Sequence, residues 1–265
     1  MRRKDKNPLV SIIINCYNGE KYLKKTINSA LHQTYKKIEI IFWNNKSIDK
    51  SKDIILSYKD KRIKYFSSKK YLKLYEARNE AIKVSKGKYI SFLDVDDWWV
   101  PKKIEEQVKI IEKKKLDLIY SNYYIFNNNK KIKKIYTEKK LPIGDITQNL
   151  LNKYDVGILT VLVKKKAFMK KKFNKHYEII GDFDFFIDLS TKKKFGCLQK
   201  PLAYYRLHDH NMSTTRLHLH AKELQDWINS NEKKLKRKNL DINAQKYYLN
   251  KLKIKNFLNK FLSIF

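Results

Sequence analysis

Apolar positions in the N-terminal part of the chain keep switching between two periods. Residues 9–14, Leu-Val-Ser-Ile-Ile-Ile, form a short β-branched run of the kind that makes a strand buried on both faces. Asn18-Gly19 is a turn signal. Over residues 20–32, Tyr22, Leu23, Ile27, Ala30 and Leu31 recur at helical spacing. The couple then repeats. A strand over 38–43 precedes a helix over 47–58, started at Ser47 or Ile48-Asp49, with Ile54, Ile55 and Tyr58 on its face. A strand over 63–66 precedes a helix over 74–85 carrying Leu74, Ala77, Ala81 and Ile82, with Gly87 beyond its end. A fourth strand, 89–93, runs directly into Asp94-Val95-Asp96-Asp97.

Beyond Pro101 the pattern predicts a helix carrying Ile104, Val108, Ile110 and Ile111, then a strand over 116–126 and a polar hairpin turn over 127–131. It continues with a strand over 157–163, a helix over 181–191 and extended chain over 198–207. From Thr214 onward the chain reads as helical and basic, without Gly or Pro, so a boundary near 215 separates residues 1–215 from a C-terminal helical extension, 216–265. Strands alternating with helices predict an α/β sheet, largely parallel and covered on both faces. Ligands of such sheets bind at the carboxyl ends of the strands. Three of those ends are polar here: Asn15-Cys16-Tyr17-Asn18, Asn44-Asn45-Lys46-Ser47 and Asp94-Val95-Asp96-Asp97.

Composition narrows the classes. Hydrophobic residues make up 42% of the 265, too many for a disordered chain despite 33% charged residues. Lys and Arg number 60 against 27 Asp and Glu, a net charge of +33, so the surface attracts anions: nucleic acid, nucleotides, phosphorylated substrates or an anionic membrane. The lysines are spread over nearly every segment, and no RNP, KH, zinc-finger or helix-turn-helix pattern appears, which argues against a nucleic-acid partner. Tyr71, Tyr75 and Tyr89 fit core positions rather than a base-stacking platform. Cys16 and Cys197 cannot make a disulfide framework or a four-cysteine zinc site and read as reduced thiols of a cytosolic protein. The run after the basic residues 1–6 is short and ends without a small-residue cleavage site, so no signal peptide is expected, and no stretch nears 18 apolar residues.

Three carboxylates within Asp94-Val95-Asp96-Asp97 repel one another unless a cation sits among them. Mg²⁺ and Mn²⁺ take one or two carboxylates and complete their shells with water and substrate phosphates. The competing reading is an Asp capping the next helix.

Taken in order, VSIIINCYN (10–18), IEIIFWNNKSID (38–49), Glu76-Ala77-Arg78-Asn79, GKYISFLDVDD (87–97), Trp98-Trp99-Val100-Pro101, Gly181-Asp182-Phe183-Asp184 and Tyr204-Tyr205-Arg206-Leu207-His208 carry a resemblance. The chain resembles a family 2 glycosyltransferase of the GT-A fold over roughly residues 8–215. That implies a Rossmann-like mixed sheet flanked by helices, and a metal-dependent, inverting transfer from a nucleotide-diphosphate sugar, UDP-sugars favoured, to a hydroxyl acceptor. It further implies Mn²⁺ or Mg²⁺ as cofactor, a saccharide or lipid-linked saccharide as acceptor, and a role in bacterial surface polysaccharide or lipopolysaccharide synthesis. By this resemblance Asn15, Tyr17 and Asn18 contact base and ribose, and Asn44 stands where the family has an Asp accepting the uracil N3–H. The usual Asp-Asp-Gly-Ser is Asn44-Asn45-Lys46-Ser47 here, and an amide carbonyl can still accept that proton. Arg78 would approach the diphosphate. Asp94 would contact the ribose or the metal, Asp96 would ligate the metal that bridges the diphosphate, and Val95 falls with them among the nucleotide-sugar contacts. Arg206 and His208, with Asn211 and Ser213, match a segment that closes over the diphosphate, His208 touching metal or phosphate. Asp182 matches the catalytic base, and at a helix start it also reads as an N-cap. Asp184 reads as acceptor-binding or structural.

The C-terminal run over 247–265 sets Tyr248, Leu252, Phe257, Leu258, Phe261, Leu262 and Phe265 near helical spacing with lysines between. Two readings stand: a basic amphipathic helix on the anionic cytoplasmic face of a membrane, or a helix packing its apolar side on the catalytic domain or a partner chain. Asn44-Asn45 prompts an alternative of an inactive scaffold, and the charge an alternative of a nucleic-acid binder. Intact Asp94, Asp96 and Asp182 favour the enzyme. The oligomeric state stays open.

Overall fold

The computed structural model describes residues 7–262. The basic run 1–6 and Phe265 lie outside the described residues, as do the side chains of Ser213, Phe261 and Leu262. Strands β1 (Val10–Cys16), β2 (Ile38–Asn44) and β4 (Tyr89–Phe92) are buried throughout, as their unbroken apolar runs require, while β3 (Ile63–Ser67) lies half-exposed at the edge. These four pair in parallel in the order β3-β2-β1-β4, with Ile12 opposite Ile40 and Ser91. Helices α1 (Glu20–Leu31), α2 (Ser51–Ser57) and α3 (Leu74–Val84) connect them. Alternation along the strands sorts the core into two layers. Ile12, Ile14, Ile40 and Phe42 face Leu23 and Ile27 of α1, whereas Ile13, Ile41 and Trp43 face Ala77 and Ala81 of α3. Both faces of the sheet are therefore covered.

The second half of the sheet is mixed. After β5 (Trp98–Trp99) and α4 (Lys103–Lys113) come β6 (Leu118–Asn127), β7 (Ile132–Ile135), α5 (Thr147–Asn152), β8 (Leu162–Lys164), α6 (Lys166–Lys170), α7 (Gly181–Ser190) and β9 (Phe195–Leu207). Strand β8 is antiparallel to both β4 and β6 and joins the two halves; β6 and β9 pair in parallel, and β5 joins β9 antiparallel.

Two expectations need correction. Helix α2 begins at Ser51 rather than near Ser47, because Asp49 accepts hydrogen bonds from the N–H of Ser51 and of Glu20 while Glu20 accepts that of Lys50, tying 47–50 into a turn. The strand expected over 157–163 is a single 3₁₀ turn, Ile158–Thr160, followed by the short β8. The carbonyls that a longer ladder would use are taken by side chains: Leu159 O by Trp99 Nε1, Thr160 O by Gln107 Nε2 and Val161 O by Ser91 Oγ.

The chain ends in α8 (Met212–Thr215), α9 (Leu217–Lys236) and α10 (Asn243–Leu262). Ala221, Leu224, Trp227 and Ile228 of α9 lie in one core cluster with Phe183 and Phe186 of α7. Helix α10 packs on α9 and α5 through Leu249 and Leu252, and from Ile254 onward its apolar residues Ile254, Phe257 and Leu258 are exposed. The extension thus packs along its first part and, among the described residues, leaves Ile254, Phe257 and Leu258 exposed beyond it. Among the described residues no helix is long and apolar enough to cross a membrane. Cys16 is buried, Cys197 partly so, and both are free thiols.

Candidate functional site

Parallel pairing brings the polar strand ends together. Asn15 stands opposite Trp43 and Cys16 opposite Asn44, and Asn45 N–H reaches Cys16 O at 2.7 Å. The turn after β1, where Asn18 takes φ 52°, is latched to the turn after β2: Asn18 N–H donates to Ser47 Oγ at 3.1 Å, and Asn18 Oδ1 accepts Ile48 N–H at 2.9 Å. Asn44 Oδ1 accepts Ser47 N–H at 2.9 Å and its amide donates to Tyr65 Oη at 3.1 Å. Asn45 makes a reciprocal pair with Leu72, donating to its carbonyl at 2.7 Å and accepting its N–H at 3.0 Å. A carboxylate at 45 could not donate, so the departure from the acidic pair is matched by its surroundings.

Asn15 is 9% exposed, and neither end of its amide has a partner among the described residues. A buried amide left unpaired costs on the order of 1–3 kcal/mol, which a ligand at the strand end would recover. Tyr17 and Tyr71 stand half-exposed at the mouth with ring centroids 4.9 Å apart. Tyr71 is therefore not a core residue, contrary to its sequence reading; Tyr75 and Tyr89 are.

The acidic cluster divides its work. Asp94 Oδ1 is 2.5 Å from Arg78 Nη2, and Arg78, 2% exposed, is sandwiched near the rings of Tyr75 and Phe92. Thus Arg78 sits beneath Asp94 and holds it. Val95, beside it, packs against the core layer of α1, and its carbonyl accepts from Thr26 Oγ1. Asp96 Oδ2 lies 2.9 Å from His208 Nε2. His208 Nδ1 accepts His210 N–H at 3.2 Å, which assigns the ring proton to Nε2, facing the carboxylate. Asp97 is buried and accepts Arg206 N–H at 2.9 Å; burial first, and then the charges of Asp96 and Asp94, push its carboxyl well above the usual range. Arg206 bonds the Asp96 carbonyl through Nε at 2.7 Å and lies over Tyr22 and Trp98, bracing the acidic turn against β9. Asn211 fixes the His208 turn by accepting its N–H and donating to Arg206 O. Among the described residues no three Asp, Glu, His or Cys side chains cluster tightly enough to hold a metal by themselves.

Asp182 sits in the first turn of α7. Tyr75 of α3 donates to its Oδ1 at 2.6 Å and Tyr154 to its Oδ2 at 3.1 Å. Burial raises its pKa, opposed by the Tyr75 bond, the Arg78 charge and the Tyr154 bond. Gly181 permits the approach, since a Cβ there would overlap the Tyr75 ring. The backbone N–H groups of Glu178, Ile179 and Ile180, leading into α7, all donate to the buried carboxylate of Glu223 on α9, at 2.6, 2.9 and 3.2 Å. Asp184 is buried, ion-paired with Lys171 at 2.9 Å and bonded by Trp227 Nε1 at 3.2 Å, a structural position. The predicted residues are therefore brought together through α3: Arg78 touches Asp94, and Tyr75, one turn earlier on the same face, touches Asp182. Sequence reasoning missed Tyr75, Tyr154, Glu223 and Tyr71 as site residues. Only Tyr75 carried a signal, its i,i+3 spacing from Arg78.

Comparison with known proteins adds family evidence. The model of the family "Glycosyl transferase family 2" matches residues 11–178. An uncharacterised glycosyltransferase of Methanocaldococcus jannaschii is 32% identical over 216 residues, 79% of this chain and 74% of that protein. An Escherichia coli protein, UDP-Glc:alpha-D-GlcNAc-diphosphoundecaprenol beta-1,3-glucosyltransferase WfaP, is 48% identical over 117 residues, 44% of this chain and 47% of that protein. The chain therefore matches about half of WfaP's length. The crystal structure of S. aureus TarS 1-349 in complex with UDP-GlcNAc superposes with a TM-score of 0.66 at 15% identity, covering 83% of this chain and 66% of that one, which shows the same fold.

Proposed function

The chain belongs to glycosyl transferase family 2, a glycosyltransferase of GT-A fold, and we propose that it moves a sugar from a nucleoside-diphosphate donor, UDP-sugars favoured, to a hydroxyl of a lipid-linked saccharide with inversion at the anomeric carbon. One observation carries the reading. Helix α3 ties a tyrosine-clamped carboxylate of raised pKa, Asp182, to the strand end that bears Asp94 and the Asp96–His208 pair.

Inverting transfer needs a carboxylate that takes the acceptor's hydroxyl proton as the oxygen attacks the anomeric carbon. Burial gives Asp182 a stronger hold on a proton than an exposed carboxylate has, and the two tyrosine hydroxyls keep it ionised and oriented until the acceptor arrives. At the donor side the unpaired Asn15 amide, the second lone pair of Asn44 Oδ1 and the Tyr17–Tyr71 rings support a nucleoside contact. The strand end also fits a hard divalent ion such as Mn²⁺ or Mg²⁺, because one carboxylate and one imidazole converge there and substrate phosphates complete such a shell. Asp96 would hold it beside Asp94, joined by His208 once Nε2 has released the proton it carries toward Asp96, and when bound the ion supplies positive charge against the leaving diphosphate. The lipid-linked acceptor named for WfaP supports a place in surface polysaccharide or lipopolysaccharide synthesis. The exposed apolar end of α10 supports action at an anionic membrane face.

The test is a thermal-shift panel of UDP-, GDP-, dTDP- and CMP-sugars with Mn²⁺. A UDP-sugar at a hundred times its dissociation constant should stabilise the protein by about 2.7 kcal/mol. If no sugar nucleotide moves the transition, the donor reading fails.

A further inference from the structure

We propose that a cavity between α7 and the C-terminal helices is the acceptor subsite, and that it takes a saccharide joined through a diphosphate to a hydrocarbon chain. The proposal rests on the reading of Asp182 as the base. The cavity, about 520 Å³, has Asp182 and Tyr154 on one wall, and on the other His220 of α9 with Tyr247 and Lys251 of α10. That volume suits a small ligand of sugar size.

Three observations lead to the ligand's chemistry. First, a hydroxyl held in the cavity meets the carboxylate of Asp182, whose two oxygens keep lone pairs beyond those taken by the tyrosines. Second, the far wall offers aromatic faces: Tyr247 is 62% exposed and Tyr248 beside it is also exposed. Aromatic walls around one or two polar groups are what a sugar ring, apolar on its C–H faces and polar at its rim, fits. Third, Lys251 stands exposed at the rim of the cavity, its Nζ 4.6 Å from the Tyr247 ring centroid, whereas the other lining lysine, Lys153, is already paired with Asp155 at 2.9 Å. An anionic group on the acceptor is drawn there.

The hydrocarbon chain follows from the helix that makes the wall. Tyr247, Ile254 and Leu258 fall at i, i+7 and i+11, one face of α10. All three are exposed, as is the neighbouring Phe257. With a rise of about 1.5 Å per residue, this face carries an apolar track from the cavity to a point about 16 Å along the helix. A saccharide in the cavity, its diphosphate at Lys251 and its chain on that track would fill consecutive parts of one surface.

The experiment is calorimetric titration of the full-length protein with decyl N-acetylglucosaminyl diphosphate, with and without excess UDP, and a separate titration with UDP. The expected result is binding that UDP does not displace, weakened at least tenfold by Lys251→Glu and by Tyr247→Ala while UDP affinity stays within twofold. Phe257→Ser should weaken the decyl compound but not the same sugar diphosphate lacking the chain. Both Tyr247 and Lys251 are exposed, and unchanged melting temperatures will verify folding. Wild-type protein that binds UDP but not the probe, displacement of the probe by UDP, or equal binding by wild type and both variants would overturn the proposal. Failure of wild type to bind UDP would instead count against the donor reading, with the probe titration still reporting on the cavity.

Discussion

As the proposed base, Asp182 would reconcile two demands that oppose each other. A base must hold a proton well enough to remove it from a hydroxyl, and it must be ionised beforehand. Burial serves the first, and the hydroxyls of Tyr75 and Tyr154 with the Arg78 charge serve the second. Asp182→Asn keeps the shape and should cost about 10²–10⁴-fold in turnover, with donor affinity unchanged. Turnover within a few-fold of wild type would remove Asp182 from the role. Because its folded-state pKa is raised, activity should fall as pH drops through a value above the ordinary Asp range. Stability from this group runs the other way: the folded state holds the proton more tightly, so raising pH from the unfolded to the folded pKa reduces stability. Tyr154→Phe removes a donor that favours the ionised form and should move the acid limb of the pH–rate profile to higher pH. The acidic cluster was legible from residue type alone, because three adjacent carboxylates in a basic chain demand an explanation. The tyrosine clamp was not, because Tyr154 and Tyr75 lie 28 and 107 positions from Asp182, and the i,i+3 spacing of Tyr75 from Arg78 points to the acidic cluster rather than to Asp182.

At the scale of elements, α9 holds the loop that leads to Asp182 in place. Glu223 receives the N–H groups of three consecutive residues that lead into α7. Glu223→Ala would leave those donors without their partner, and it should lower unfolding stability by at least about 2 kcal/mol and reduce turnover, measured by urea denaturation and initial rates. A variant as stable as wild type would show that the loop is held by its own packing. The same contacts explain why the sequence reading could not choose between a packed and an uncovered C-terminal helix: α9 docks through Trp227 and Glu223, whereas among the described residues Ile254, Phe257 and Leu258 of α10 are exposed. The first four strands were legible because a β-branched apolar run between polar turns has few other uses. The strand expected over 157–163 failed for the opposite reason. Leu159, Val161, Leu162 and Val163 are buried as expected, but Trp99, Gln107 and Ser91 take the carbonyls, and side chains 60, 53 and 70 positions away leave no mark on local periodicity.

Across the whole molecule, charge and the uncovered apolar end act together. A net charge of +33 draws the protein toward any anionic surface, but charge alone gives no orientation. In the proposed membrane contact, orientation would come from α10, where exposed Ile254, Phe257 and Leu258 alternate with Lys251, Lys253 and Lys255. Each lysine near an anionic bilayer adds roughly 1 kcal/mol, and each apolar side chain that inserts adds on the order of 1.5–3 kcal/mol. Such binding is reversible and salt-sensitive, since the Debye length falls to about 3 Å at 1 M salt. Full-length protein should therefore float with anionic vesicles at low salt, much less with neutral ones, and release at high salt. The triple variant Ile254→Ser, Phe257→Ser, Leu258→Ser keeps every lysine and removes only exposed groups. Its melting temperature should match wild type, and its flotation should fall severalfold. Equal flotation of the two would reduce the attraction to unspecific charge. Failure of both to float with anionic vesicles would leave α10 facing water, and the cavity beside Asp182 would then have to draw its acceptor from solution.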